Sequence, residues 1–380
     1  MKKKILFVTE RRADYSKLRP VLNEIKKSKK FDYYLVVTGS HLSKKHGNTI
    51  NEIKKDGFSI YKKFKMFEDN DDDSPSSMTM AFGKAVINLT KITKSLKPDL
   101  IFSGFDIGAN FAAAVVGAHM NIHVVHLEGG EITGTIDESI RHAISKFAHI
   151  HFTSNKQATK RLIKMGESSK NIFTVGNPSL DTIKSLKFIS KKEIENQFNI
   201  DLRKPVLLVV QHTVTTEIDQ IDQYFLETIN AIKETNHQAI IISGNIDAGS
   251  QKIKKIIKNS NILNYENLPF IKYISLLKYS STIIGNSSSG IMEAPFLHVP
   301  SINIGSRQEG RGKTKSIINV KYNKHEIKRA INKVLTDKKF QNSIKTQKNE
   351  HGDGTASKKI IKILEKLNFE KISIQKKLAY

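Results

Sequence analysis

The chain has 380 residues, enough for two domains that each bury a core of their own. Hydrophobic content of 38% and charged content of 26% are ordinary for a soluble globular protein. Cysteine is absent, which excludes disulfides, thiolate catalysis and Cys-ligated zinc, while the net charge of +25 invites a nucleic-acid reading. Only nine of the 62 basic residues are Arg, the residue type of planar phosphate and base recognition. The lysines lie in short clusters spread along the chain, such as Lys2–Lys4, Lys26–Lys30 and Lys252–Lys258, as solvated faces require. Neither a nucleic-acid partner nor a membrane is therefore expected. The opening "MKKKILFVTERR" has too short an apolar core for a secretory signal, and no stretch approaches a membrane span. A cytoplasmic, soluble protein is the expectation.

Strand and helix signals alternate along the chain. "ILFVT" (5–9) reads as a buried strand, and Leu18, Val21, Leu22 and Ile25 then repeat at helical spacing. "YYLVVTG" (33–39) is the next strand, and "DNDDDSP" (69–75) is an acidic loop. Phe82, Val86, Leu89 and Leu96 mark a helix face, and Pro98 leads into a strand over 97–104. Strands follow at 122–127 and 149–153, separated by a helix striped with Ile140, Ala143, Ile144 and Phe147. A further strand is predicted over 171–181. Residues 182–204 are Lys-rich without a strand, which places a boundary there. Strands at 205–211, 238–244, 281–286 and 300–305 then alternate with helices near 217–235, 249–259, 270–279 and 289–297. A last helix is predicted over about 353–368. The pattern implies an α/β chain of two doubly wound, Rossmann-like domains, 1–182 and 183–352, with a C-terminal segment 353–380.

In such folds ligands sit beyond the carboxyl ends of the strands, and with two facing domains the expected site is the cleft between them. The residues there are chemically loaded. "ERRADYS" after the first strand offers Arg11 or Arg12, with Ser16, at a helix start suited to a phosphate. Asp106 follows the strand 97–104, and Glu128 with Gly129-Gly130 follows the strand 122–127. Asp137 and Glu138 open the next helix, Thr135 and Glu138 matching a capping box. Carboxylates so close together shift one another's pKa, as acid/base work at neutral pH needs. His212 stands at the tip of the strand 205–211. "NSSSGIMEA" brings Asn286, Ser287 and Ser288, hydroxyls and N–H groups able to cradle an anion, with Glu293 a helical turn on. Arg307 and Arg311 follow the strand 300–305. Neither a Walker loop nor a dinucleotide fingerprint is present. His149 and His151 share one face of a strand without a partner spaced to complete a metal site, so no metal is expected.

These segments together resemble the hydrolysing UDP-N-acetylglucosamine 2-epimerases over nearly the whole chain. The resemblance is carried by "RADYSKL" (12–18), "GNTI" (47–50), "HLEGGEITGTIDESIRHAISKFAHIHF" (126–152), "HTVTTE" (212–217), "GNSSSG" (285–290) and "GSRQEGR" (305–311). It implies a B-type glycosyltransferase architecture whose C-terminal helix crosses back to the first domain. It also implies a reaction without metal or nicotinamide cofactor, in which UDP is eliminated to a glycal that is then hydrated to the free 2-epimer. By that resemblance Asp106, Glu128 and Asp137 are the proton-handling carboxylates and His212 acts near the leaving phosphate. Arg12, Ser16, Ser287, Ser288 and Arg307 hold the diphosphate, Glu293 the ribose, and Tyr273 lies by the uracil. A UDP-sugar substrate and a homodimer or homotetramer are implied too. UDP-N,N'-diacetylbacillosamine is a related substrate, and non-hydrolysing epimerases or inactive nucleotide-sugar binders are the neighbouring alternatives. Two departures stand out. Phe105-Asp106-Ile107 replaces a usual Gly-Asp-Arg, which removes a cation beside Asp106, and Gln211-His212-Thr213 replaces Phe-His-Pro.

Overall fold

A computed structural model describes residues 2–43, 49–68, 74–133, 136–243, 250–266, 268–311 and 314–379. Gly47 and Asn48, most of the acidic loop at 69–73, Thr135 and Gly244 lie outside the described residues. The chain divides into two compact units, residues 1–184 with 350–380, and residues 185–349.

The first unit is built on seven parallel strands: β1 (Lys3–Thr9), β2 (Phe31–Val37), β3 (Ile60–Lys63), β4 (Leu100–Gly104), β5 (His123–Leu127), β6 (Ile150–Thr153) and β7 (Ile172–Thr174). Their order across the sheet is β3-β2-β1-β4-β5-β6-β7. β1 is buried on both faces, and the two-residue period of a strand sorts its side chains. Ile5 and Phe7 join one core with Leu18, Val21, Leu22 and Ile25 of the helix Arg12–Lys27. Leu6 and Val8 join another with Ala85 and Leu89 of the helix Pro75–Leu96 and with Ala109, Ala112 and Ala113 of the helix Gly108–His119. A continuous apolar run between amphipathic helices thus becomes a central strand covered on both sides.

The C-terminal helix Ala356–Lys366 belongs to this unit, placing Ile360, Ile361 and Leu364 in the first of those cores. Its first two N–H groups donate to Asp181 (2.9 and 2.7 Å), and Glu365 accepts from Ser28 (2.6 Å). The carbonyls of Ile372 and Ile374 bond His123 and His149 at the start of β5 and just ahead of β6. Lys376 reaches Glu167 (2.6 Å), itself bonded to His151.

The second unit has six parallel strands: β8 (Val206–Val210), β9 (Gln238–Ile242), β10 (Leu263–Tyr265), β11 (Thr282–Gly285), β12 (Ser301–Ile304) and β13 (Ile317–Val320), in the order β10-β9-β8-β11-β12-β13. Phe225, Ile229 and Ile232 from the helix Ile221–Thr235 pack with Ile327, Ile331 and Val334 from the helix Lys324–Thr336. Among the described residues no helix is long and apolar enough to cross a membrane.

The two doubly wound sheets accord with the expected class, and the differences are local. β3, β10 and β13 are sheet-edge strands of three or four residues with no buried position, and even the apolar Ile317-Ile318 of β13 is too short a run to read as a strand. The strand predicted over 171–181 is only Ile172–Thr174, because Gly176 turns at φ +99° and Pro178 opens the helix Pro178–Lys184. The stretch 182–204 holds a helix, Lys191–Phe198, capped reciprocally by Ser190 and Glu193. The helix predicted over 289–297 is one 3₁₀ turn, Ser288–Gly290, and a four-residue helix, Glu293–Phe296.

Candidate active site

Strand order reverses in the first sheet at β1 and β4, so their carboxyl ends open a crevice. Glu10 and Arg11 leave β1 there, and Phe105 and Asp106 leave β4. Asp106 is partly buried and lies between two cations, Arg141 from the helix Ile136–Phe147 and Arg11 at 3.3 Å. The cation expected to be missing beside Asp106 is therefore supplied from elsewhere: Ile107 is apolar, and two arginines distant in sequence replace it. Neither pairing with Asp106 could be read from neighbours in the chain.

Glu128, at the tip of the adjacent β5, is 5% exposed. Lys17 donates to its Oε2 (2.7 Å) and Asn177 to its Oε1 (2.8 Å). The Lys17 ammonium also lies 5.1 Å from the centre of the Phe105 ring. One helix, Arg12–Lys27, thus carries the cation of Glu128, while the residue capping it, Arg11, carries a cation of Asp106. Both acids are reached through left-handed backbone at non-glycine residues, φ +71° at Phe105 and φ +63° at Glu128. Such conformations cost energy and persist where surrounding bonds over-determine them. Here the Phe105 N–H donates to Leu127 and that of Glu128 to Phe152, both at 2.9 Å.

Asp137 stands in the first turn of the helix Ile136–Phe147, four residues before Arg141 and hence on the same helix face. The acids Asp106 and Glu128 and the face bearing Asp137 are thus gathered at one corner of the first unit. Other carboxylates of this segment are structural. Glu131 accepts from Ser154 and from Asn155 (2.6 Å). Glu138 accepts the Thr133 N–H (2.7 Å); Thr135, its partner in the expected capping box, lies outside the described residues. Gly130 turns at φ +78° where a Cβ would collide with the Ala158 carbonyl.

Sequence reasoning passed over Glu10. Its carboxylate accepts the Ala109 N–H (2.8 Å), and burial raises its pKa to about 7, with Asp14 and Asp106 adding to the rise. Asp14 caps the helix start, accepting from the N–H groups of Glu10 (2.9 Å) and Arg11 (2.8 Å); burial raises its pKa. Lys17, Asn177 and Arg141 were not singled out either. Only Arg141 carried a local signal, its i,i+4 spacing from Asp137. Of the residues assigned to a diphosphate, Arg12 pairs with Glu52 (3.3 Å), and the Ser16 hydroxyl donates to the Ala13 carbonyl (2.7 Å).

In the second unit the order reverses at β8 and β11. His212 follows β8 and Asn286 follows β11. They are locked reciprocally, the His212 N–H donating to Asn286 Oδ1 (2.7 Å) and Asn286 Nδ2 to the His212 carbonyl (2.9 Å). Burial, then the nearby Arg307, lowers the His212 pKa to about 4, so the ring is neutral at pH 7. Arg307 and Gln308 both donate to the Asn286 carbonyl (3.0 and 2.8 Å). The Ser287 hydroxyl accepts the Ser289 N–H (3.3 Å), and Ser288 begins the 3₁₀ turn. Burial raises the pKa of Tyr273, beside Ser289 and Glu293.

Each unit therefore presents a polar cluster at its own strand-order reversal, anionic groups held by cations in one, a neutral imidazole with Ser and Arg in the other. The two-unit α/β fold is that of solved UDP-N-acetylglucosamine 2-epimerases, which define the structural class. The enzyme from Neisseria meningitidis bound to UDP-GlcNAc matches with a TM-score of 0.82 at 19% identity, over 96% of this chain and 100% of that one. One from Listeria monocytogenes described as a putative UDP-N-acetylglucosamine 2-epimerase matches with 0.79 at 18% identity, over 98% of each. The sequence profile of the UDP-N-acetylglucosamine 2-epimerase family matches residues 23–365. A Legionella pneumophila protein named UDP-N,N'-diacetylbacillosamine 2-epimerase (hydrolyzing) is 36% identical over the full length of both chains. A Neisseria meningitidis UDP-N-acetylglucosamine 2-epimerase is 34% identical over 89% of each, and a Campylobacter jejuni GDP/UDP-N,N'-diacetylbacillosamine 2-epimerase (hydrolyzing) is 36% identical over 90% of this chain and 89% of that one. The chain belongs to the UDP-N-acetylglucosamine 2-epimerase family.

Proposed function

We propose that this protein is a hydrolysing 2-epimerase that converts a UDP-2-acetamido sugar into UDP and the free 2-epimer. The observation that carries the reading is the unequal setting of two acids at the tips of adjacent strands: Asp106 between two guanidiniums, and Glu128 buried against one ammonium and one amide. A proton must leave C2 on one face of the sugar and return on the other, which calls for two acid/base groups in different environments. In the first stage the C1–O bond to UDP breaks as a base takes the C2 proton, leaving a glycal. In the second, water adds at C1 and an acid protonates C2.

Asp106, Glu128 and Asp137 supply these groups. His212 serves the leaving phosphate; the charge of a bound diphosphate would raise its pKa from about 4 and draw a proton onto the ring. Arg12, Ser16, Ser287, Ser288 and Arg307 hold the diphosphate, Glu293 the ribose hydroxyls and Tyr273 the uracil. The working form is a homodimer or homotetramer, to be read by light scattering.

Incubation with UDP-N-acetylglucosamine, and separately with UDP-N,N'-diacetylbacillosamine, in D₂O followed by proton NMR tests the reading. Free UDP and a 2-epimer carrying deuterium at C2 are expected. An intact UDP-linked epimer would overturn the hydrolytic step. The names of the Legionella and Campylobacter relatives favour the diacetylbacillosamine nucleotide as the faster substrate.

A further inference from the structure

His126 lies on β5, two residues before Glu128, and is 0% exposed. Its imidazole bonds at both nitrogens. Nε2 lies 3.2 Å from the carbonyl of Phe105, the left-handed residue immediately before Asp106. Nδ1 lies 3.1 Å from the hydroxyl of Ser145. A carbonyl can only accept, so Nε2 carries the proton. The ring is neutral, since burial foremost and the neighbouring His151 next push its pKa well below the ordinary histidine value, and Nδ1 therefore accepts. Ser145 in turn sits on the helix of Arg141, and its one hydroxyl proton is shared between two acceptors at equal distance, His126 Nδ1 and the Arg141 carbonyl, each 3.1 Å away. The space is closed to anything larger than the present glycine at 129, where a Cβ would lie 2.8 Å from His126 Nδ1. One imidazole thus ties together the backbones that carry the two halves of the Asp106–Arg141 ion pair.

We propose that His126 is a positioning residue for the epimerase reaction, holding the strained Phe105–Asp106 turn in register with Arg141 so that the Asp106 carboxylate is presented to the sugar. It touches no substrate itself. The inference rests on the assignment of Asp106 to proton transfer, and the test separates the two.

His126→Asn removes the donor to Phe105, whereas His126→Gln can bring an amide N–H to the place of Nε2. Ser145→Ala removes the second tie. His123→Asn is the control. It deletes an imidazole at the opposite end of the same strand, where Nε2 bonds the Ile372 carbonyl at 2.8 Å. For His126→Asn, kcat is expected to fall about 10–100-fold, with KM for the UDP-sugar within about threefold of wild type. His126→Gln recovers most of the loss, and His123→Asn keeps wild-type kcat. Hydrogen exchange of the peptide spanning residues 104–110 reads the turn with no substrate at all. It is expected to quicken in His126→Asn and Ser145→Ala and to stay slow in His126→Gln and His123→Asn.

Wild-type exchange in that peptide for His126→Asn, or a kcat loss that tracks melting temperature equally across all four variants, would overturn the proposal. Should wild type turn over neither sugar nucleotide, the assigned reaction fails while the exchange result still decides the role of His126. If His126→Asn does not fold, Ser145→Ala and His126→Gln carry the same comparison.

Discussion

At the scale of single residues the site is a set of acids whose partners make them unequal. Glu128 is confined on both sides, with one oxygen on Lys17 and the other on Asn177. Glu128→Gln keeps the shape and removes the proposed acid/base group, so turnover should fall by about 10²–10⁴, while UDP affinity measured calorimetrically stays close to wild type. Equal loss of both would reassign Glu128 to binding. Glu10 yields a pH-dependent expectation. Its native pKa is raised to about 7 from an ordinary 4.5, so the folded state binds a proton that the unfolded chain has released between those values. Stability is therefore lost as pH rises through that window, by an upper limit of about 3 kcal/mol. Glu10→Gln removes this dependence. Urea unfolding should show the variant gaining on wild type by about 1–3 kcal/mol at pH 8 relative to pH 4.5.

At the scale of elements, the helix Arg12–Lys27 does two tasks. Its apolar stripe fills one core, and the half-buried Lys17 beside that stripe reaches Glu128. The pairing spans 111 residues of sequence. Lys17→Met would leave a buried carboxylate without its cation, and a loss on the order of 3 kcal/mol in urea unfolding of the first unit is expected. The β5–helix connection offers a second check. Gly130→Ala must both adopt a positive φ and press on the Ala158 carbonyl, so the melting transition of the first unit should move down in calorimetry while that of residues 185–349 stays near wild type. Central strands were legible because a run such as Val206–Val210, buried at every position, can be little else. β3, β10 and β13 were not, because an edge strand is fixed by the neighbour whose N–H and C=O groups it completes rather than by its own hydrophobicity.

At the scale of the molecule, the first unit is closed by residues that the chain supplies last. Ile360, Ile361, Leu364, Phe369 and Ile372 sit in the same core as β1. Burial of such side chains contributes about 1.5–3 kcal/mol each, which together is comparable to the whole margin of a typical domain. A chain ending at residue 349 should therefore lose the cooperative melting of the first unit in calorimetry, while residues 185–349 keep theirs. The sequence by itself determined the α/β class, the central strands and the acid-rich segment. Periodicity and strand-end position are local properties, and a residue beyond a parallel strand's carboxyl end is near the ligand side whatever the remaining topology. Only the tertiary structure decided which cation meets which acid, as with Arg11 and Arg141 at Asp106 and Lys17 at Glu128. It likewise decided that an imidazole buried in a strand would hold a loop carbonyl. Those pairings join segments up to 111 residues apart, and they exist because the switch in strand order brings the ends of β1, β4 and β5 to one place.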